Sequence, residues 1–309
     1  MLLLNKVREL DLRTPPQAGR PAHLSAASGL VRAGDFLYVV ADDENHLGVF
    51  PARGTEPGVL LQLCAEILPH SPAERKAAKP DFEALTLLPA CSQYPFGALL
   101  ALGSGSRRNR RTSFLIELGA DGAVSSPPRI VDLSGIFAAV EAQLNGINIE
   151  GATVSGERLR LLQRGNKRKG RNAIIDFSLS QLLDALLTSD AVTDARVLAI
   201  SWFDLGAVSD VPLSFSDCAT LPDGSLIFTA IAEDTEDAYT DGCCRGAAIG
   251  IIDASGVLVF LQSLAHPLKI EGIEASLLSD VIQVWLVTDA DDASIPAALY
   301  SVELSTKFK

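Results

Sequence analysis

Residues 28–50 read SGLVRAGDFLYVVADDENHLGVF, which is three short apolar runs separated by Gly, Asp and Asn. A fourth run, GVLLQLCAEIL, follows at residues 58–68. Runs rich in Val, Leu, Phe and Tyr between such turn residues are typical of β-strands joined by tight turns. This part of the chain therefore predicts one four-stranded antiparallel sheet, whose first strand begins at Ser28.

Four later units begin in the same way, with Ser or Glu before a short apolar strand. EALT starts at Glu83, EGAT at Glu150, SDCA at Ser216 and EGIE at Glu271, so that successive starts, counted from Ser28, are 55, 67, 66 and 55 residues apart. A repeat of this length is typical of propellers and other repeat proteins. Because radial repetition of four-stranded sheets leaves only short, protected edges, the five units predict an all-β, five-bladed β-propeller.

The fifth unit shows only three strands before the sequence ends. An unassigned strand, KVRELDL, lies near the other end of the sequence. If Val7–Leu12 pairs with the last blade, the N-terminal strand closes the ring and leaves no open sheet edge. We therefore expect one closed propeller domain over residues 1–309.

Two segments interrupt the strand pattern with apolar residues at helical spacing. They are Ile136–Leu144, which reads IFAAVEAQL, and Ser178–Leu187, which reads SLSQLLDALL. Both fall between predicted strands. We expect two short surface helices that cover the edges of blades.

The composition limits the classes of partner. The formal net charge of −12 and the pI near 4.8 argue against general binding to nucleic acid or to an anionic membrane. The N-terminal apolar run is too short for a secretory signal, and no stretch approaches the roughly 18 apolar residues of a membrane span. We expect a cytoplasmic protein.

The sequence contains none of the common catalytic motifs that we considered. The five cysteines lack the spacing of a zinc site, and the four histidines are scattered along the chain. The patterns HExxH, GxSxG and GxxxxGK[ST] are absent. A serine-hydrolase or P-loop mechanism therefore has no support in the sequence.

The five unit starts form the strongest candidate site. The first strand of a propeller blade lines the central channel, so the five starts should face one another across it. Crowded carboxylates repel one another unless a proton or a cation intervenes, and oxygen ligands without Cys or His favour calcium. The alternative is that the glutamates of this set only tie neighbouring blades together through backbone N–H groups. The predicted metal ligands are Ser28, Glu83, Glu150, Ser216 and Glu271.

This order of residues, Ser, Glu, Glu, Ser and Glu at the starts of five blades, resembles the calcium-activated nucleotidase (soluble apyrase) family. Two strings are similar to that family: SGLVRAGDFLYVVADDENHLGVF to its first blade and PLKIEGIEA to its last. By blade order the resemblance spans nearly the whole chain. It implies a five-bladed propeller with one calcium ion in the channel, held by the five unit starts, and hydrolysis of nucleoside di- and triphosphates.

Two loops between the second and third strands of their units are strongly basic. GSGSRRNRRTS in the second unit contains Arg107 and Arg108, and QRGNKRKGRN in the third contains Arg164, Lys167 and Arg168. Such loops return to the face where the unit starts lie, so they would frame the metal with positive charge. Arginine binds phosphate through paired hydrogen bonds, which predicts a small phosphorylated ligand. The alternative is two solvated loops, or a docking site for nucleic acid or an acidic protein.

The opposite side of this rim is acidic, and Asp42 and Asp43 follow the second strand of the first unit. The pair matches a DD pair in the first blade of the nucleotidase family. A water held by the metal or by a carboxylate could attack a phosphoryl group there, while calcium polarises a phosphate oxygen. Asp42 and Asp43 are therefore the candidate catalytic residues, with Asp43 orienting the water.

Three functions are consistent with these features. The first is a calcium-dependent, apyrase-like hydrolase of a phosphorylated small molecule. The second is a non-enzymatic propeller with a structural calcium ion and a basic rim that docks a partner. The third is a glycosidase or lactonase on the same fold; a glycosidase needs two carboxylates about 5.5 or 6.5–9.5 Å apart.

Overall fold

The fold is a ring of five antiparallel sheets. The computed structural model describes residues 1–165, 171–235 and 242–307. Each of the five sheets has four strands, and its innermost strand contacts the innermost strands of both neighbouring sheets around a central axis. This arrangement confirms the predicted all-β, five-bladed propeller.

The strands of each blade follow one another along the chain, as the repeats predict. The N-terminal strand is β1 (Asn5–Glu9), and blade 1 contains β2 (Ala27–Ala33), β3 (Phe36–Ala41), β4 (His46–Pro51) and β5 (Val59–Gln62). Blade 2 contains β6 (Phe82–Leu88), β7 (Ala98–Gly103), β8 (Ser113–Glu117) and β9 (Arg129–Val131). Blade 3 contains β10 (Ile149–Ser155), β11 (Arg158–Gln163), β12 (Asn172–Ser178) and β13 (Ala199–Phe203).

A short hairpin separates blade 3 from blade 4. It pairs β14 (Ala207–Val208) with β15 (Val211–Pro212). Blade 4 contains β16 (Ser214–Thr220), β17 (Leu226–Asp234), β18 (Cys243–Ile252) and β19 (Leu258–Ser263). Blade 5 contains β20 (Ile270–Leu278), β21 (Val281–Thr288) and β22 (Ala298–Ser305), and β1 is its fourth strand.

The N-terminal strand closes the ring, as predicted. β1 pairs antiparallel with β22, so that Asn5 lies opposite Ser301 and Glu9 lies opposite Ala298. The strand starts two residues earlier than predicted and stops before Leu10, whose N–H donates to the Ala297 carbonyl at 2.8 Å. The first and last segments of the described chain therefore share one sheet.

The two predicted helices are present near their expected positions. They are α2 (Ser134–Glu141) and α3 (Leu179–Ser189), and both bury one face in the core between blades 2 and 3. A further helix, α1 (Pro72–Ala78), precedes them between blades 1 and 2. Its sequence, PAERKAA, has no apolar periodicity, which is why the pattern did not predict it. Among the described helices, none has the length and apolar character needed to cross a membrane.

The innermost strands approach one another closely because small residues follow the unit starts. A Cβ atom on Gly29 would lie 3.1 Å from the backbone nitrogen of Leu85, and one on Gly272 would lie 3.1 Å from that of Leu30. Both gaps are too tight for a larger side chain unless the neighbouring blade shifts. Glycine therefore lets adjacent blades meet at the channel wall.

Candidate functional site

The five predicted metal ligands all lie at the same irregularity of their blades. In every innermost strand the pairing register with the second strand shifts around one residue, which is a β-bulge. The shifts lie between Ala27 and Gly29, Phe82 and Ala84, Ile149 and Gly151, Phe215 and Asp217, and Ile270 and Gly272. In each blade the skipped residue is the predicted ligand. Because a bulge re-aims a side chain, the five positions are structurally equivalent, as the sequence indicated.

The two serines of this set already have backbone partners. The Ser28 hydroxyl donates to the Ala26 carbonyl at 3.3 Å, and the Ser216 hydroxyl donates to the Ile270 carbonyl of blade 5 at 2.7 Å. Ser216 thus ties two blades together. This is the kind of structural role that the sequence left open for the glutamates at the unit starts. The glutamates carry the charge of the site.

Three basic side chains lie among the carboxylates at this end of the channel, which we call the mouth. Lys79 contacts Asp42 and lies 2.9 Å from Asp81. The other two side chains, Arg164 and Lys269, both reach Glu233 of blade 4. Arg164 lies 3.2 Å from Glu150 and 2.5 Å from Glu233, and Lys269 lies 3.4 Å from Glu271, 3.8 Å from Glu233, 3.3 Å from Asp289 and 2.5 Å from Asp291. Ion pairs between blades therefore hold the mouth together.

Negative charge exceeds positive charge at the mouth. Among the described residues, these basic groups and Arg110, which binds Asp81 at 2.7 Å, are four cations in contact with the acidic set. Eight carboxylates make up that set: Asp42, Asp81, Glu83, Glu150, Glu233, Glu271, Asp289 and Asp291. The formal balance of these groups is therefore four negative charges when all of them are ionised.

This excess raises the pKa of several carboxyl groups. Burial, with the nearby charge of Glu271, raises the pKa of Glu150 to about 8, although Arg164 acts in the opposite direction. Burial and then the charges of Glu150 and Asp81 raise the pKa of Glu83 well above its usual value. A buried carboxylate cluster with too few cations takes up protons or a metal ion.

Three carboxylates from blades 1 and 2 lie close enough together to hold a metal ion. One carboxylate oxygen each of Asp42, Asp81 and Glu83 lies within 4.8 Å of the others. The Glu83 carboxylate accepts no hydrogen bond from the described part of the chain, in contrast to Glu150, whose Oε1 accepts one from Asn148 at 2.5 Å. Hard oxygen donors, an unmatched negative charge and a free carboxylate fit a calcium ion.

A cavity of about 620 Å³ opens beside this acidic group. Its walls come from the N-terminal segment, the end of β3, α1 and the loop after β21. The residues with ionisable side chains that line it are Arg20, Asp42, Asp43, His70, Arg75, Lys76, Lys79, Asp289, Asp291 and Asp292. The α1 side of the cavity is basic and the β21 side is acidic, so the cavity offers both charges to one ligand.

Asp43 lines this cavity and has one carboxylate oxygen without a hydrogen-bond partner in the described structure. Its Oδ2 accepts hydrogen bonds from Arg20 at 2.9 Å and from the Ser25 hydroxyl at 3.4 Å. Its Oδ1 is buried and has no hydrogen-bond partner in the described structure. Burial, together with the charges of Asp42 and Glu44, raises the pKa of Asp43 to about 6. One oxygen is thus anchored, while the other is buried without a partner among the described residues.

The described members of the predicted basic shelf lie in different surroundings. Arg107 and Arg108 lie in an exposed 3₁₀ turn and do not line the 620 Å³ cavity. Arg164 points into the mouth, where it binds Glu150. Lys167 and Arg168 lie outside the described residues. The role of these five residues in substrate binding stays a prediction.

Several residues at the mouth were missed by the sequence analysis. Asp81 and Lys269 each stand two positions before a bulge glutamate, and Asn148 has the same place before Glu150. All three side chains act at the mouth, through ion pairs or through the hydrogen bond to Glu150. A polar residue two positions before each unit-starting glutamate was the signal that could have found them.

Asp217 joins two blades at the channel wall, directly after the bulge residue Ser216. It occupies the place that glycine has in blades 1, 3 and 5, and it is fully buried. Its Oδ2 accepts a hydrogen bond from the Ile273 N–H of blade 5 at 2.9 Å, and its Cα lies 3.0 Å from where a Cβ of Gly151 in blade 3 would be. The side chain therefore links blade 4 to blade 5 at the channel wall.

The far end contains a second cavity, of about 200 Å³, lined by the innermost strands of all five blades. Its acidic and basic residues are Glu274 and Arg32. The Glu274 carboxylate accepts hydrogen bonds from the Arg32 and Ala275 N–H groups, both at 2.9 Å. Burial raises the pKa of Glu274 from its usual 4.5 to about 7 in spite of these bonds. The folded protein therefore holds a proton on Glu274 that the unfolded chain releases above about pH 4.5.

Substituting Glu274 with glutamine is expected to change how stability depends on pH. In the wild-type protein the contribution of Glu274 is most favourable below about pH 4.5 and is lost as the pH rises through about 7, by up to about 3 kcal/mol. Because an amide does not ionise, the free energy of unfolding of Glu274→Gln, relative to wild type, should increase between about pH 5 and about pH 8. Urea denaturation at both pH values measures this difference.

A matched control is Glu303→Gln, which changes an exposed glutamate on β22. Its stability relative to wild type should stay nearly constant over the same pH range, because an exposed side chain interacts weakly with its surroundings. An equal change in both variants would show that burial of Glu274 has no effect on its ionisation.

Solved structures share the fold of this chain at low sequence identity. A putative glycoside hydrolase from Parabacteroides distasonis is 10% identical with a TM-score of 0.50, and the match covers 98% of this chain and 96% of that protein. MPT-4, a mannose phosphorylase from Leishmania mexicana, is 9% identical with a TM-score of 0.47 over 99% and 93% of the two chains. A luciferin-regenerating enzyme is 12% identical with a TM-score of 0.42 over 90% and 91%. At these identities the likeness concerns the fold alone.

The family of the chain is shown by its sequence. No curated protein matches it. A family model described as a family of unknown function, DUF6929, matches residues 23–304. That description names no activity, so the resemblance to calcium-activated nucleotidases stays a prediction. Because the match runs from before the first bulge serine to the last strand of blade 5, the chain belongs to the DUF6929 family.

Proposed function

We propose that this protein is a calcium-dependent hydrolase of a phosphorylated small molecule, with nucleoside di- and triphosphates as the first substrates to test. The observation that carries the proposal is the excess of carboxylates over cations among the described residues of the mouth, directly beside the 620 Å³ cavity. Such an arrangement suits a cation and an anionic ligand that are bound together.

Asp42, Asp81 and Glu83 are the residues that would hold the cation, with Glu150 and Glu271 as the other charged members of the bulge ring. A bound divalent cation polarises a phosphoryl oxygen and offsets the charge that develops on it. Carboxylates alone would repel a phosphate from this place. The metal is therefore what allows the acidic mouth to accept an anion.

Arg20, Arg75 and Lys79 supply the positive wall of the cavity. Arg20 is held by Asp43 and Glu44, and Arg75 donates to the Asp43 carbonyl at 2.7 Å and to Gln17 at 3.0 Å. Side chains that are already held in place lose little conformational freedom when a ligand binds. They can orient a phosphate toward Asp42 and Asp43 without rearrangement.

Asp43 is the residue that would position the attacking water. Its Oδ1 lacks a hydrogen-bond partner in the described structure, whereas Oδ2 is fixed by Arg20. A carboxylate with one anchored and one available oxygen can orient a water and accept its proton as the water attacks phosphorus. The proton then lies on Asp43, and the leaving group departs with the electrons of the broken P–O bond.

One observation favours a second function, a non-enzymatic propeller whose calcium is structural. The positive side chains at the cavity already bind carboxylates or backbone carbonyls, since Arg20 and Lys79 contact acidic groups and Arg75 also donates to the Pro69 carbonyl. Fully paired cations attract an anion less strongly than free ones. In this case calcium would stabilise the fold and no turnover would follow.

Phosphate release from a panel of nucleotides and sugar phosphates distinguishes the two functions. We expect turnover with calcium and none with a chelator, and a melting temperature that rises when calcium is added. Turnover that persists in chelator would contradict the metal requirement. A calcium-dependent rise in melting temperature without release from any substrate would favour the non-enzymatic propeller.

A further inference from the structure

Arg164 lies inside the ring of bulge glutamates. Its guanidinium contacts Glu150 of its own blade at 3.2 Å and Glu233 of blade 4 at 2.5 Å. The charges of Glu271 and Glu83 also act on it. The positive charge of Arg164 is thus directed at Glu150, which belongs to the same bulge ring as the proposed cation ligand Glu83.

The backbone of this arginine is fixed, but its side chain reaches the surface of the mouth. The Arg164 N–H donates to the Asn148 carbonyl at 2.9 Å, and the next N–H, of Gly165, donates to the Asn172 side chain at 3.0 Å. The Arg164 side chain is 14% exposed, whereas that of Glu150 is 5% exposed. The backbone is therefore held in place, while part of the side chain is accessible from the surface.

We propose that Arg164 couples binding of the cation to binding of the phosphorylated ligand. The inference rests on the proposed function, because it takes both ligands from it. Without a cation, the guanidinium neutralises Glu150 and Glu233. When Glu150 serves a divalent cation, like charges repel Arg164 from the ring, and its side chain becomes available to pair with a phosphate at the mouth.

Two consequences follow from this competition. Removing the positive charge of Arg164 frees a carboxylate and ends a repulsion, so calcium should bind more tightly to the variant. In the wild-type protein a phosphate that engages Arg164 should also tighten calcium binding, and calcium should tighten phosphate binding by the same factor, because coupling between two binding equilibria is reciprocal.

Calorimetric titration with calcium chloride tests the first consequence. We expect Arg164→Met to bind calcium at least about fivefold more tightly than wild type, the lower end of usual coupling factors. Arg158→Met is the matched control, because Arg158 pairs with Asp176 in the same blade but outside the mouth. Its calcium affinity should equal that of wild type, and an equal gain in both variants would overturn the proposal.

Calcium titration of the wild-type protein, with and without inorganic phosphate below the solubility limit of calcium phosphate, tests the second consequence and needs no variant. Phosphate should tighten calcium binding at least about fivefold. Calcium binding that is indifferent both to phosphate and to Arg164→Met would overturn this proposal alone. Absence of calcium binding in all of these proteins would overturn the proposed function as well.

Discussion

Replacing Asp43 with asparagine is expected to lower kcat for calcium-dependent nucleotide hydrolysis by about 100- to 10,000-fold, while KM changes little. An amide cannot take the proton of the attacking water, which is the role that the unpaired Oδ1 of Asp43 suggests. The asparagine oxygen can still accept the hydrogen bond from Arg20, so the wall of the cavity should stay in place. Steady-state phosphate release at saturating calcium measures both constants.

The matched control for this substitution is Asp280→Asn. Asp280 is exposed in the hairpin between β20 and β21, at the end of the innermost strand that lies away from Glu271. Its removal should leave kcat unchanged, because no part of the mouth depends on it. If kcat falls equally in both variants, or if Asp43→Asn retains full turnover, Asp43 has no part in the reaction.

Deleting residues 1–12 is expected to abolish cooperative folding, because this segment closes the ring. It removes β1 from blade 5 and leaves β22 as an open edge. It also removes Leu10 and Leu12, both buried, each of which contributes about 1.5–3 kcal/mol by burial. The total is a large part of the roughly 5–15 kcal/mol by which a domain is stable. Thermal and urea unfolding followed by circular dichroism check the result.

A pair of point variants tests the same closure in protein that still folds. Leu10→Ala should cost about 2–5 kcal/mol of unfolding free energy, because Leu10 is fully buried against the core of blades 1 and 5. Leu3→Ala, at a position 70% exposed, should change stability by less than about 0.5 kcal/mol. Equal stabilities of the two variants would mean that the N-terminal segment does not support the ring.

The two proposals about the mouth depend on different atoms and can fail separately. Asp43 acts at the cavity through an unpaired oxygen, whereas Arg164 acts at the ring through its charge on Glu150. Loss of turnover in Asp43→Asn with unchanged calcium affinity would separate catalysis from metal binding. A change in calcium affinity without a change in the chemical step, in Arg164→Met, would identify the arginine as a regulator of the site.

The sequence by itself determined the five blades, the closure by the N-terminal strand and the five equivalent positions at the channel. These features are local: apolar runs with turn residues between them specify strands, and the repeated Ser or Glu marks the same place in each unit. The positions of Ser28 and Glu271, almost a whole chain apart, could be matched because the units are alike. α1 could not be found in this way, because PAERKAA has neither strand nor helix periodicity.

Only the tertiary structure decided how the charges at the mouth are paired. Lys79 pairs with Asp42, which is 37 residues away in the sequence, and Arg164 pairs with Glu233, which is 69 residues away. The repeat does not predict either pairing. Which oxygen of Asp43 lacks a partner in the described structure, and which N–H of blade 5 the Asp217 carboxylate accepts from, depend on blades meeting at the axis. Strand patterns arise from interactions between neighbours in sequence, whereas ion pairs arise between groups that come together only when the ring has closed.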